Sequence, residues 1–325
     1  MKSITLPGSN IKTSSIGFGC AGLMRTATSK GRQALLNTAF DSGIIHYDVA
    51  RMYGLGRVES EVGHFITDKR DQVVITTKFG IEASQNSSGF SHIINMARLL
   101  VKLVPALRKV ASNRASSLYQ KRSYDAKTAQ ACLEKSLLEL KTDYVDLFLL
   151  HEPSLINLED NDVLEFLEMA KDKGMIREYG IAGYLQDSLD ICINKPEYVN
   201  VLQVQNDILG RQLEAFRNVY HGATITFSPL AEALSKISEY MKMNDAEKNK
   251  WGDLLNCDCS SLTDLSNLLL QFCLNQNPEG VVLCSSSKVE RIKQMSRLGE
   301  NNTVDKTSLE SFSSYIHKQL SHSAS

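Results

Sequence analysis

Short apolar runs alternate with amphipathic stretches along most of this chain, and that alternation sets its predicted elements. Ile4-Thr5-Leu6 and Ile11-Lys12 flank the turn residues Pro7-Gly8-Ser9-Asn10, which predicts an N-terminal β-hairpin. Apolar runs of strand length then recur at 15–19, 44–48, 73–78, 145–150, 179–182, 199–205, 223–227 and 280–284. Helical spacing falls at 29–42, 59–66, 126–140, 162–173, 187–193, 212–220, 262–276 and 288–298, with 306–320 as a C-terminal helix. Gly43 and Gly174 stand where two of these helices stop. The runs show no polar alternation, as expected of parallel strands buried on both faces. Eight βα units in one chain predict a (β/α)8 TIM barrel, α/β in class, as a single domain over residues 1–325.

A doubly wound open sheet is the alternative. Gly17-Phe18-Gly19-Cys20-Ala21-Gly22 spells G-x-G-x-x-G after the first run. A dinucleotide fingerprint opens directly into a helix, however, and here the next helical pattern begins only near Ser29.

Two stretches break the rhythm. Residues 80–124 form a long insertion after strand three: polar at 84–91, apolar and basic with helical spacing at 93–110 around Pro105, polar again to 121. Loops of this length are surface insertions, lids or binding segments. Lys102, Arg108, Lys109, Arg114, Lys121 and Arg122 would suit an acidic partner or a solvated face equally. Residues 231–256 are polar and mixed, contain the only tryptophan, Trp251, and read as a loop.

Charge and composition narrow the function. The net charge of −1 provides no basic field for nucleic acid. No apolar run approaches the roughly 20 residues of a membrane span. The opening MKSITLPGSN lacks the apolar core of a signal peptide, so a cytoplasmic protein is expected. Seven scattered cysteines suggest reduced thiols, and Cys257-Asp258-Cys259 lacks a second Cys/His pair at zinc spacing, so no metal is expected.

Candidate chemistry lies at the strand ends. Asp48, Lys78 and His151 close the second, third and fourth predicted strands, and Tyr53 follows in the loop after Asp48. In a barrel all four fall on the C-terminal rim, where active sites are built. Each residue alone has an ordinary reading as a turn former, a solvated strand end or a strand-end hydrogen bonder. Together they suit protonation of a carbonyl oxygen. Lys78 would draw down the Tyr53 pKa, Asp48 would hold Lys78, and His151 would hydrogen-bond the substrate oxygen. Such a proton donor needs a hydride donor that no side chain supplies, which implies a nicotinamide cofactor. A cofactor-binding regulatory subunit, or a Schiff-base enzyme using Lys78, are the competing classes.

These stretches resemble the aldo-keto reductase family along nearly the whole chain, the 80–124 insertion excepted. HYDVARMYG (46–54) is similar to the family's FDTAxxYG stretch, TTKFG (76–80) to its lysine strand and LLHEP (149–153) to its LLHxPD strand. TDYVDL (142–147) resembles its TDYIDL, and Phe227-Ser228-Pro229-Leu230 its YSPL turn along the cofactor diphosphate. The resemblance implies Tyr53 as general acid/base, Asp48 and Lys78 as its tuning pair and His151 as the orienting group. It also implies Gln203 at the nicotinamide carboxamide, Ser228, Pro229 and Leu230 along the diphosphate, and Ser286, Lys288 and Arg291 around an adenosine 2′-phosphate. NADPH is therefore expected ahead of NADH, with a small carbonyl substrate (aldehyde, ketone or sugar-like) and a monomer. The chain departs from the pattern at Ala182 and Gly183, where the family has Ser and Asn, and at Asn206, where an aromatic is usual.

Overall fold

All eight apolar runs form strands, and the strands close on one another. The computed structural model describes residues 1–83, 119–243, 245–255, 261–300 and 304–322. At the N-terminus, β1 (Ser3–Thr5) and β2 (Lys12–Ser14) form the antiparallel hairpin. Then come β3 (Ile16–Gly19), β4 (His46–Asp48) and β5 (Val74–Phe79) of the barrel. Two short strands of the insertion follow, β6 (Ile81–Ala83) and β7 (Tyr119–Lys121), paired with each other and antiparallel. The barrel resumes with β8 (Val145–His151), β9 (Ile176–Gly183), β10 (Val201–Gln205), β11 (Ala223–Phe227) and β12 (Val281–Cys284), and it is closed. Every neighbouring pair in it is parallel, including the closing pair β12–β3. The open-sheet alternative is thereby excluded.

Two apolar layers hold the barrel. The larger packs the outer strand faces against the helices. The smaller fills the interior, where Val74, Leu147, Val201, Ala223 and Val281, from the strand starts, meet Ile4, Leu6 and Ile11 of the hairpin segment. The hairpin thus plugs the N-terminal end and leaves the opposite end open to a cavity. Helix boundaries follow local chemistry. Thr28 and Asp125 accept N–H bonds from Gly31 and Thr128 at the starts of helices Ser29–Asp41 and Ala126–Leu140.

Three readings of the pattern change. Residues 212–220 form only a 3₁₀ turn, Gln212–Phe216, entered through Arg211, which is left-handed (φ 45°). Residues 231–256, read as a loop, hold the helices Ala231–Met243 and Asp245–Leu255. Ala233, Ile237 and Met241 form a buried face, and Trp251 is fully buried, stacked on Tyr240 and edge-on to Phe312 of the C-terminal helix Lys306–His322. The glycine motif runs into a 3₁₀ helix, Cys20–Arg25, before the first α-helix. The helix predicted at 93–110, with Pro105, Lys102, Arg108 and Lys109, lies outside the described residues, as do Arg114, Cys257 and Cys259. Among the described residues no helix is long and apolar enough to cross a membrane, and no group of three His, Cys, Asp or Glu side chains could hold a metal.

Candidate active site

Register brings the four predicted side chains together. Asp48 ends β4 opposite Thr76 of β5, and Lys78 of β5 lies opposite Leu149 of β8. His151 ends β8 opposite Ala182 of β9, which in turn faces Gln203 of β10. Tyr53 sits in the loop after β4. That loop is tied to the sheet by Val49 N–H to Thr76 O at 2.8 Å and turned on itself by Tyr53 N–H to Ala50 O at 3.0 Å. Gly54 follows at φ 59°, and a Cβ there would stand 2.3 Å from Met24 Cγ, so the turn requires glycine for both dihedral and space.

Lys78 is 1% exposed and donates to Asp48 Oδ2 at 2.6 Å and to Val49 O at 3.0 Å. Gln203 Nε2 donates to the same carboxylate oxygen at 3.1 Å. The Lys78 amine also lies 5.2 Å from the Tyr53 ring centroid, and the Tyr53 and His151 rings meet edge-on at 6.2 Å. The expected tuning of Tyr53 is reversed here. Burial first, then the charge of Asp48 and its hydrogen bond, push the Tyr53 pKa well above the usual phenol range. Lys78 pairs directly with Asp48, and with its pKa raised Tyr53 stands as a protonated phenol at neutral pH. Burial lowers the pKa of Lys78 while Asp48 opposes it. Burial, with the Lys78 and Lys121 charges, brings His151 down to about 3, leaving a neutral imidazole at pH 7.

The four side chains line a cavity of about 620 Å³ at the open barrel end. Gln203, Ser228, Pro229, Leu230 and Arg291 line it too, together with Ala182 and Gly183. Ser286 and Lys288 lie instead on an adjoining cavity of about 260 Å³, which shares Gly19, Arg25 and Ser285 with the first. Ser286 Oγ is engaged with the Lys288 backbone, accepting its N–H at 3.0 Å. Asn206 does not line either cavity; its Oδ1 accepts the Leu213 N–H at 3.0 Å. Three buried polar atoms at the cavity have no hydrogen-bond partner among the described residues: His151 Nδ1, Gln203 Oε1 and Arg291 Nη2.

Sequence reading missed a second buried ion pair beneath the Tyr53 loop. Arg51 bonds Glu59, and Glu59 Oε1 accepts from Thr77 Oγ1 at 2.6 Å, beside Lys78. It also missed Arg25, which borders both cavities, and Glu152 and Tyr184, which line the larger one. Arg51 and Glu152 do lie within the stretches 46–54 and 149–153, but what they pair with or line becomes visible only in the fold.

The sequence model of the Aldo/keto reductase family matches residues 15–316. The uncharacterized oxidoreductase YqkF of Bacillus subtilis is 25% identical over 90% of this chain and 90% of its own length. D-threo-aldose 1-dehydrogenase of a Pseudomonas species is 26% identical over 56% of this chain and 54% of its own. Among solved structures, the holo form of aldo-keto reductase AKR11C1 from Bacillus halodurans superposes with a TM-score of 0.72 at 19% identity, covering 95% of this chain and 94% of that one. An aldo-keto reductase from Klebsiella pneumoniae, in complex with NADPH, gives 0.66 at 19% identity over 98% and 96%.

Proposed function

The chain belongs to the aldo/keto reductase family, and from that premise we propose that it is an NADPH-dependent oxidoreductase interconverting a small carbonyl compound and its alcohol. The observation that carries the reading is the buried Lys78–Asp48 pair with Tyr53 and His151 around one cavity. The cavity also fits the cofactor. Gln203 Oε1 would take the carboxamide, the turn Ser228–Leu230 the diphosphate, and the unpartnered Arg291 Nη2 a phosphate oxygen, with Ser286 and Lys288 in the adjoining cavity nearby. When bound, a reduced nicotinamide supplies the hydride.

The chain's own residues handle the proton. His151 as neutral imidazole donates a hydrogen bond to the carbonyl oxygen and orients it. Tyr53 holds its proton through the neutral range and delivers it from the hydroxyl to the oxygen as negative charge develops there. An alkoxide is a far stronger base than a phenolate, so Tyr53 can protonate it despite its raised pKa. Asp48 keeps Lys78 in place, and Lys78 stabilises the phenolate left behind.

The test is fluorescence titration with NADPH and NADH, followed by NADPH oxidation over a panel of aldehydes and ketones. Binding of NADPH with carbonyl-dependent oxidation, lost in Tyr53→Phe, is expected. A wild-type protein that binds neither cofactor and turns over no carbonyl would overturn it.

Ala182 and Gly183 favour a second reading. They bring no polar side chain to the cavity, at positions where the resemblance leads one to expect a Ser and an Asn. On that reading the protein binds NADPH as a regulatory subunit with little turnover. NADPH would then change its affinity for a partner while carbonyl reduction stayed at background.

A further inference from the structure

The cavity is electrically polarised. Arg25 and Ser285 lie where the larger cavity meets the smaller one, and Arg291 and Lys288 border the same region. Those cations suit a phosphate-bearing cofactor. Glu152 lines the larger cavity and not the smaller, next to His151 and with Tyr184 beside it. The proposed cofactor contacts therefore leave the Glu152 side to the substrate.

Glu152 is held there by its backbone. Its φ is +56°, a left-handed conformation that is unfavourable for a glutamate and that persists only when its surroundings enforce it. The enforcement is visible: Glu152 N–H donates to Ala182 O at 2.6 Å, and Lys121 Nζ donates to Glu152 O at 3.2 Å. Lys121 is thus engaged with the carbonyl. Among the described residues no salt bridge joins a cation to the Glu152 carboxylate. The carboxylate's charge raises the pKa of Tyr184, and it reaches Tyr53 as well. Tyr184, 55% exposed, gives this side of the cavity an aromatic face next to the charge. A fixed anion against an aromatic face is an arrangement that attracts cations and repels anions, most strongly where water is excluded.

We propose that Glu152 is the specificity-determining residue of the site and selects carbonyl substrates that carry a cationic group, while rejecting carboxylate-bearing ones. The proposal rests on the oxidoreductase reading for the reaction, but its binding preference stands apart from turnover. Rejection is as much of the discrimination as attraction.

Three para-substituted benzaldehydes that differ in charge separate these effects: trimethylammoniomethyl, nitro and carboxylate. With NADPH-loaded wild type, kcat/KM should fall in the order cation, neutral, anion, with the cation favoured over the anion by roughly tenfold or more. Glu152→Gln keeps the shape and should collapse that ratio towards one, and Glu152→Lys should invert it. The corresponding benzyl alcohols, titrated by saturation-transfer NMR, should bind with affinity falling in the same order and show the same collapse. An unchanged ratio in Glu152→Gln, in both turnover and binding, overturns the proposal. If wild type turns over none of the aldehydes yet binds the cationic alcohol preferentially, and Glu152→Gln abolishes the preference, the selectivity holds and the oxidoreductase reading fails. Thermal melts of both variants identify any loss of fold.

Discussion

The Lys78 amine lies 2.6 Å from the Asp48 carboxylate, and both side chains are almost wholly buried in the barrel mouth. Their strands are adjacent, and register sets Asp48 against Thr76, two residues before Lys78. Removing one charge leaves the other desolvated and uncompensated, at about 3–5 kcal/mol. Lys78→Met and Asp48→Asn should each show that loss in urea unfolding. The double variant should recover much of it while remaining inactive in carbonyl reduction. Equal and additive losses would mean that the pair does not couple.

Tyr53 sets the direction of pH dependence. Its pKa lies above the usual value near 10 because burial and Asp48 favour the phenol. Reduction needs the phenol and should stay level from pH 6 to about 9. Alcohol oxidation needs the phenolate and should rise with pH across the same interval without reaching a plateau. Tyr53→Phe should lower reduction by roughly 10²–10⁴-fold while leaving the NADPH titration unchanged. Stopped-flow rates in both directions check this.

Buried histidines set an acid limit to stability. His46 is fully buried, with Thr13 Oγ1 at 3.2 Å and Thr76 Oγ1 at 2.9 Å, and burial lowers its pKa to about 3. His151 is lowered to about 3 as well. The unfolded chain binds these protons near pH 6.5 and the folded chain only near 3, so stability is full above 6.5 and falls as pH drops through that window. The loss attributable to His46 should amount to several kcal/mol, at about 1.4 kcal/mol for each tenfold drop in proton affinity on folding. His46→Gln should flatten the pH profile of the urea midpoint between 6.5 and 4, whatever it does to the midpoint at pH 7.

Glu59 links the two halves of the site. It pairs with Arg51, two residues before Tyr53, and accepts from Thr77, one residue before Lys78. Glu59→Gln should destabilise by about 3–5 kcal/mol, through the stranded Arg51 charge. It should also lower kcat more than it raises the cofactor Kd, because the Tyr53 loop loosens while the Arg291 side of the cavity is untouched. A parallel change in both would mean global loosening instead.

Most of the architecture was legible because parallel strands and their covering helices announce themselves locally. The runs at 145–150 and 223–227 became strands at nearly those bounds, since their apolarity reflects burial on both faces. The helix Ala231–Met243 escaped the sequence reading although Ala233, Ile237 and Met241, four residues apart, form its buried face. Gly180 shows the same divide. In the sequence it is one residue of a strand, whereas in the fold its Cβ would stand 1.9 Å from Val201 O, where β9 meets β10.

Local pattern alone thus determined the eight strands, and strand-end position with residue type singled out Asp48, Tyr53, Lys78 and His151. Only the tertiary structure decided how those four interact. Asp48 pairs with Lys78, and burial together with the Asp48 charge raises the Tyr53 pKa where the sequence pattern led one to expect a fall. It also decided that Glu152, left-handed and without an ion-pair partner among the described residues, joins the cavity. Periodicity is written residue by residue, whereas burial and the distance between charges arise only when strands distant in sequence close into a barrel.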